Sequence, residues 1–535
     1  MQPCKKKGVG CSMASKNIVK IAQNTFLHGQ VEKARGCDRP VHVFLGIPYA
    51  APPVGPRQFQ PPEKLVLWTG TRDATKFGPI CPQDLRMAER QYYPYPVPEQ
   101  VSEDCLYLNV YTPSLDTSSK LAVMVWIHGG GFTQGFSNFY NGTGLAAYHD
   151  VVFISINYRL GPFGFLCTGD DSLIQGNMGL LDQIAALEWI RDHVAAFGGD
   201  PENVTVFGES AGGISVSHLI VSDLSRGLFR RGISQSGVGP HPGSLWTQRN
   251  AGKYLRSQVK KMGCSSSDSR EILEFLKKQP SDVIVKGLGL GFSPVYDHYF
   301  FKDFPDKLYS AGKFQPVDHI IGFNSHEGAQ FVFNLSGTTH ISNKETARQF
   351  VQRVVTKMFY RGVPNVEKVV EAITERYVER RAEAELTQSL VDMYGNLLFV
   401  AASVDTANKH SEKGRTYLYL FDHRSALSRH PEWVRADHGD EIMIVLGEPH
   451  MARFPDIWRE QDKLLSHDLM AYWANFAKTG NPNGQNLAVW PVYDTARKQY
   501  AVLSANMKVD MNFDPEGVQF WCYTIPAIIS GQSRL

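Results

Sequence analysis

One serine, in the stretch NVTVFGESAGG (203–213), carries the plainest chemical promise in the chain. A serine hydroxyl is a weak nucleophile; it needs a base to take its proton and an acid to orient that base. Ser210 follows the short apolar run VTVF (204–207) and opens the run SAGGISVSHLIVS, so it is expected on a sharp turn from a strand into a helix. Such a turn strains the serine backbone, and Gly208 and Gly212 leave the room it needs. It also sets the amide of Ala211 at a helix N-terminus, where unpaired N–H groups favour negative charge. That combination suits attack on an acyl carbon, with the developing oxyanion held by backbone donors.

A second segment fits the same chemistry. Three glycines follow a buried-looking strand in WIHGGGF (126–132), and so many glycines cost conformational entropy. The functional reading is an oxyanion loop whose donors are the N–H groups of Gly130 and Gly131, beside that of Ala211. The other readings are a phosphate-cradling loop or a flexible turn, but a Walker loop ends in Lys-Ser/Thr and this one continues Phe132-Thr133. For the base there are seven histidines late in the chain: 340, 410, 423, 430, 438, 450 and 467. His438 lies in the polar loop ADHGDEI and His423 in FDHRS, and residue type alone leaves the choice open. Glu327, in NSHEG after the apolar run HIIGF, is the candidate acid.

These residues need a scaffold. The runs VFLGI (43–47), LAVMVWI (121–127), VVFISI (151–156), VTVF, HIIGF (319–323), TYLYLF (416–421) and YAVL (500–503) are continuously apolar, as in strands buried on both faces. Between them MGLLDQIAALEWIRDHVAAF (178–197) has helical spacing and stops at Gly198-Gly199. Residues 340–410 and 455–480 also read as helical. The expected fold class is α/β, with a large mostly parallel central sheet covered by helices on both faces. Residues 17–530 are expected to form one domain after an N-terminal tail, 1–16.

Composition narrows the function. With 43% hydrophobic and 20% charged residues and a net charge of +2, the chain has an ordinary globular balance and no character for binding nucleic acid. Lys5-Lys6-Lys7 is too short a run to change that. No apolar stretch approaches the ~20 residues of a membrane helix. The eight cysteines (4, 11, 37, 81, 105, 167, 264 and 522) have no metal-ligand spacing, so neither metal nor cofactor is expected. Residues 1–16 lack the apolar core of a signal peptide, and Ser533-Arg534-Leu535 differs by one residue from a peroxisomal address.

Taken together, the motifs resemble the type-B carboxylesterase and cholinesterase family of α/β-hydrolases. The matching stretches include FLGIPYAAPPVGP (44–56), SEDCLYLNVYTP (102–113), WIHGGGF, NYRLGPFGF (157–165), FGGDPENVTVFGESAGG (197–213), GFNSHEG (322–328) and PEWVRADHGDEI (431–442). The resemblance spans about residues 20–520 in the family's order. It implies a triad of Ser210, Glu327 and His438, oxyanion donors at Gly130, Gly131 and Ala211, and supporting positions at Glu209 and Ser236. It implies a disulfide between Cys81 and Cys105 and a structural ion pair between Arg159 and Asp182. Cys264 lacks its expected mate, since Phe275 stands there, so it is either free or paired otherwise. The family's arginine is displaced in Arg57-Gln58-Phe59, which puts a salt bridge to Glu103 in doubt.

Substrate features follow from the same resemblance. The Cys81–Cys105 loop has no tryptophan to hold a quaternary ammonium, although Tyr92, Tyr93 and Tyr95 lie in it. Asp440 stands where cholinesterases carry an aromatic residue, and Leu288 and Leu290, near Phe292, replace acyl-pocket phenylalanines. The expected function is a serine carboxylester hydrolase of small to medium apolar esters. Cholinesterase-like or lipase-like activity is the alternative, and a silent adhesion protein the remote one. The resemblance favours the secretory pathway or an extracellular site, with the sequons at Asn141, Asn203 and Asn334 in keeping. The missing leader and the C-terminal tripeptide favour a cytosolic or peroxisomal one.

Overall fold

Apolar runs buried on both faces form the middle of an eleven-stranded sheet. In this computed structural model the described residues are 17–92, 96–240, 245–359, 364–451 and 456–531. The 1–16 tail, Tyr93, Tyr95 and Ser533-Arg534-Leu535 lie outside them, as does the Tyr92 side chain. In chain order the strands are β1 (Gln30–Glu32), β2 (Val41–Pro48), β3 (Tyr107–Thr112), β4 (Leu121–Ile127), β5 (Val151–Ile156), β6 (Gly199–Glu209), β7 (Arg231–Gln235), β8 (Asp318–Asn324), β9 (Thr416–Phe421), β10 (Gln499–Leu503) and β11 (Lys508–Met511). Across the sheet they run β11-β10-β9-β8-β7-β6-β4-β5-β3-β2-β1. Pairing is parallel from β5 through β10 and antiparallel towards both edges.

The period of two along each central strand divides the core. Val123, Val125 and Ile127 of β4 join the cluster under helices Met178–His193 and Ala211–Val221. Met124 and Trp126 face the other way, against Leu469 and Trp473 of helix Glu460–Thr479. A third cluster joins helices Lys344–Phe359, Val366–Thr374 and Leu386–Gly395. The helix from Met178 gives way to a 3-10 turn, Val194–Phe197, and stops at Gly198 with φ 75°.

All seven apolar runs lie in this sheet. Not anticipated were β7, whose sequence RGISQ is wholly buried yet half polar, and the exposed edge strand β11. Among the described residues no helix is long and apolar enough to cross a membrane.

Candidate active site

Strand β6 ends at Glu209, and Ala211 opens the next helix, so Ser210 makes the whole turn. Its backbone sits at φ 57°, ψ −122°, a region that costs a non-glycine residue energy. Only glycine fits on either side: a Cβ at Gly208 would lie 2.3 Å from the Ile127 carbonyl oxygen, and one at Gly212 2.0 Å from it. The Ser210 N–H donates to the Gln235 carbonyl at 2.8 Å, which fastens the turn to β7. Ala211 presents a first-turn N–H with no acceptor inside the helix.

The glycine loop leaves the end of β4 beside this turn. Gly130 has φ 101°, and a Cβ there would lie 2.1 Å from the Gln134 carbonyl oxygen. The Gly130 carbonyl accepts the N–H groups of Thr133 and Gln134, both at 3.1 Å. Gln83 fixes the loop's far end: its Nε2 donates to the carbonyls of Cys81 and Gly135, both at 3.0 Å, and its Oε1 accepts the Gly135 N–H at 2.8 Å. Cys81 is disulfide-bonded to Cys105, so the cross-linked loop and the glycine loop share one clamp.

His438 stands between two carboxylates. Its Nδ1 lies 2.6 Å from Glu327 Oε2, and its Nε2 lies 3.0 Å from Glu209 Oε1. Glu327 is buried and accepts the Ser236 hydroxyl at 2.5 Å and the Asn324 N–H at 2.7 Å. Burial alone pushes the imidazole of His438 down, but Glu209 and Glu327 outweigh it and hold it up at about 10. Burial also pushes Glu209 up to about 8, against the opposing pull of His438. The two raised groups face each other at 3.0 Å, so the direction for the pair is retention of a shared proton near neutrality.

The rival histidine is elsewhere: His423 Nε2 meets the buried Asp462 at 2.7 Å. Sequence reasoning singled out neither Asn324, whose Nδ2 donates to the Asp437 carbonyl at 2.6 Å and to Glu441 at 2.7 Å, nor Gln330, whose Nε2 donates to the His438 carbonyl at 3.1 Å. Both sit in the quoted motifs or next to them, but as single polar residues they carry no chemical signal of their own. Leu288 and Phe292 are buried, while Leu290 is 47% exposed; the Tyr254 hydroxyl ties this segment through Leu288 O and Gly291 N, both at 3.1 Å. Asp440 accepts the Asp437 N–H at 2.8 Å, and burial raises its carboxyl to about 7.

The departures have structural answers. Cys264 is free and buried. Gln58 takes the displaced arginine's place and donates to Glu103 at 2.8 Å, while Arg57 turns to Glu63. Arg159 and Asp182 form a buried two-pronged pair, with Nη2–Oδ1 at 2.7 Å and Nε–Oδ2 at 2.8 Å. Among the described residues no group of three or more His, Cys, Asp or Glu side chains is placed to hold a metal ion. A groove of about 1030 Å³ lies between helices Lys344–Phe359 and Val366–Thr374 and contains none of these residues.

A strained serine over a parallel sheet, a glycine loop and a carboxylate-flanked histidine define a hydrolase of the α/β type. Residues 15–521 match the model of the carboxylesterase family, and the chain belongs to that family as a carboxylic ester hydrolase. It is similar to carboxylesterase 5A of Canis lupus familiaris, with 38% identity over 94% of this chain and 89% of the relative. It is also similar to a medium-chain fatty acyl-CoA hydrolase precursor of Anas platyrhynchos, at 37% over 95% and 92%. Pyrethroid hydrolase Ces2e of Rattus norvegicus is 37% identical over 91% of this chain and 86% of its own.

Proposed function

We propose that this ester hydrolase works through Ser210, His438 and Glu327 within one domain spanning residues 17–530. Ser210 Oγ attacks the ester carbonyl carbon while His438 Nε2 takes its proton. The carbonyl oxygen becomes an oxyanion facing the N–H groups of Gly130, Gly131 and Ala211. Collapse of the tetrahedral species breaks the C–O bond, and His438 returns the proton to the leaving alcohol. Water, deprotonated by the same imidazole, then releases the acid from the acyl-enzyme. Glu327 orients the ring through Nδ1, and Ser236 holds Glu327. Before attack Nε2 must be a free base; Glu209, 3.0 Å away with its carboxyl raised to about 8, is the acceptor for that proton.

The observation that carries this reading is the Ser210 backbone at φ 57°, strain that a small residue in an ordinary turn has no reason to bear. The proposed substrates are small to medium apolar esters, with the acyl group near Leu288, Leu290 and Phe292. Relatives named as a fatty acyl-CoA hydrolase and a pyrethroid hydrolase support an apolar substrate. Replacing Ser210 by Ala is expected to lower p-nitrophenyl ester hydrolysis by more than ~10³-fold without loss of folding. An organophosphate should label Ser210 in the wild type; substantial turnover by the variant, or labelling at another residue, rejects the assignment. Across an ester panel, aryl and short-chain esters should compete well with acetylthiocholine, and a strong preference for the latter rejects the substrate class.

A further inference from the structure

The helical run from Leu386 to His410 is interrupted by a π-helical turn, Asn396–Val400. Such a turn re-aims the side chains around it and occurs frequently at functional sites. Here it carries Phe399, a buried residue whose ring lies against the imidazole of His438, with centroids 4.2 Å apart and planes 21° from parallel. Phe331 approaches the same imidazole at 5.4 Å and 54°, and is itself stacked on Tyr394 at 5.2 Å.

The two carboxylate contacts leave His438 one freedom. Glu327 holds Nδ1 by a hydrogen bond at 2.6 Å and Glu209 pairs with Nε2 at 3.0 Å, but neither contact covers the ring face, so rotation that tilts the ring is left open. A flat side chain on the ring face blocks that rotation. Aromatic faces also attract cations, so the stack favours imidazolium over imidazole. We propose that Phe399 is a positioning residue for the base: its face fixes the plane of the His438 ring and stabilises the imidazolium formed while Ser210 attacks. This rests on the reading of His438 as the base.

The charged surroundings of His438 come from other elements and from its own segment. Glu209 faces it from β6, Glu327 from the loop after β8, and Asp437, Asp440 and Glu441 from its own segment. Helix Ala329–Ser336 contributes Phe331 and the uncharged Gln330, with the Tyr394 hydroxyl group's ring behind Phe331. Replacing Phe399 therefore alters no formal charge, and a change in His438 titration reports the ring itself. Loss of the aromatic face disfavours imidazolium, so the pKa falls and the acid limb of the rate profile moves to lower pH. The maximal rate falls as well, because the transition state contains imidazolium.

The test compares Phe399→Leu, Phe399→Met and Phe399→Tyr with p-nitrophenyl acetate from pH 5 to 9. Active sites are counted by organophosphate titration, and folding is checked by circular dichroism. Leu and Met are expected to move the acid limb of kcat/KM down by about half a unit and to lower kcat roughly three- to fivefold. Tyr, which keeps the face, should retain both. An unmoved limb in Leu and Met overturns the proposal; so does a Tyr variant that shifts as far as Leu, since packing alone would then explain the effect. The variant His438→Ala separates the two levels. If it keeps wild-type activity, the base assignment fails; if it is inactive while Leu and Met leave the limb unmoved, only the role of Phe399 fails.

Discussion

Glu209 is the residue whose placement changes the chemistry most. Beside Ser210 it reads as support, yet its carboxylate lies 3.0 Å from Nε2 of His438, the nitrogen proposed to receive the serine proton. Two carboxylates hold His438 up at about 10, above the range in which a base is useful at neutral pH. Replacing Glu209 by Gln removes one of them, so the imidazole sheds its proton more readily. The expected result is an acid limb of kcat/KM lowered by roughly a unit or more, with relatively more activity at pH 6. A profile measured from pH 5 to 9 that stays in place rejects proton sharing between the two. The choice of His438 over His423 also belongs at this scale. Both are histidines beside acidic residues in polar loops; the family resemblance points to His438, and in space His438 meets Glu327 while His423 meets Asp462.

Among elements, the glycine loop and the disulfide loop work as a unit. Gln83 makes three hydrogen bonds that tie the Cys81 carbonyl to Gly135, and the segment they restrain includes Gly130 and Gly131. Backbone donors stabilise an oxyanion only if held in position before it forms. Gln83→Ala is therefore expected to lower kcat about tenfold with little change in KM, by analogy with the larger loss when a donor is removed outright. Steady-state kinetics decides it, and a change confined to KM rejects the link. Nothing in CPQD announces such a clamp, because two of its three bonds go to backbone groups 52 residues away. The strand RGISQ does not read as a strand in the sequence for a related reason: its polar residues are satisfied by tertiary partners, such as Gln235 with Glu441 and Ser234 with Gly213.

At the scale of the molecule, the buried pair Arg159–Asp182 joins the loop after β5 to helix Met178–His193. Removing one partner strands the other charge in the interior, so Asp182→Ala is expected to destabilise the fold by about 3–5 kcal/mol. The double variant Arg159→Met/Asp182→Leu should lose much less. Urea unfolding separates these outcomes, and equal losses in single and double variants would show that the charge is not the cause. Gln58 and Glu103 illustrate the opposite case, where a neutral amide replaces an ionic partner and keeps a hydrogen bond.

The sequence by itself determined the α/β architecture and the identities around the elbow. Both are written locally: continuous apolar runs mark strands buried on two faces, and Gly208 and Gly212 around Ser210 after an apolar run mark the turn from strand to helix. Tertiary structure decided what depends on groups distant in the chain meeting at hydrogen-bond range. It left Cys264 free, set Glu209 against the imidazole of His438 and placed Phe399 on its face. Those relations arise from the parallel sheet, which brings the ends of β4, β6 and β8 and the loops that follow them together. No spacing along the chain encodes a distance across it.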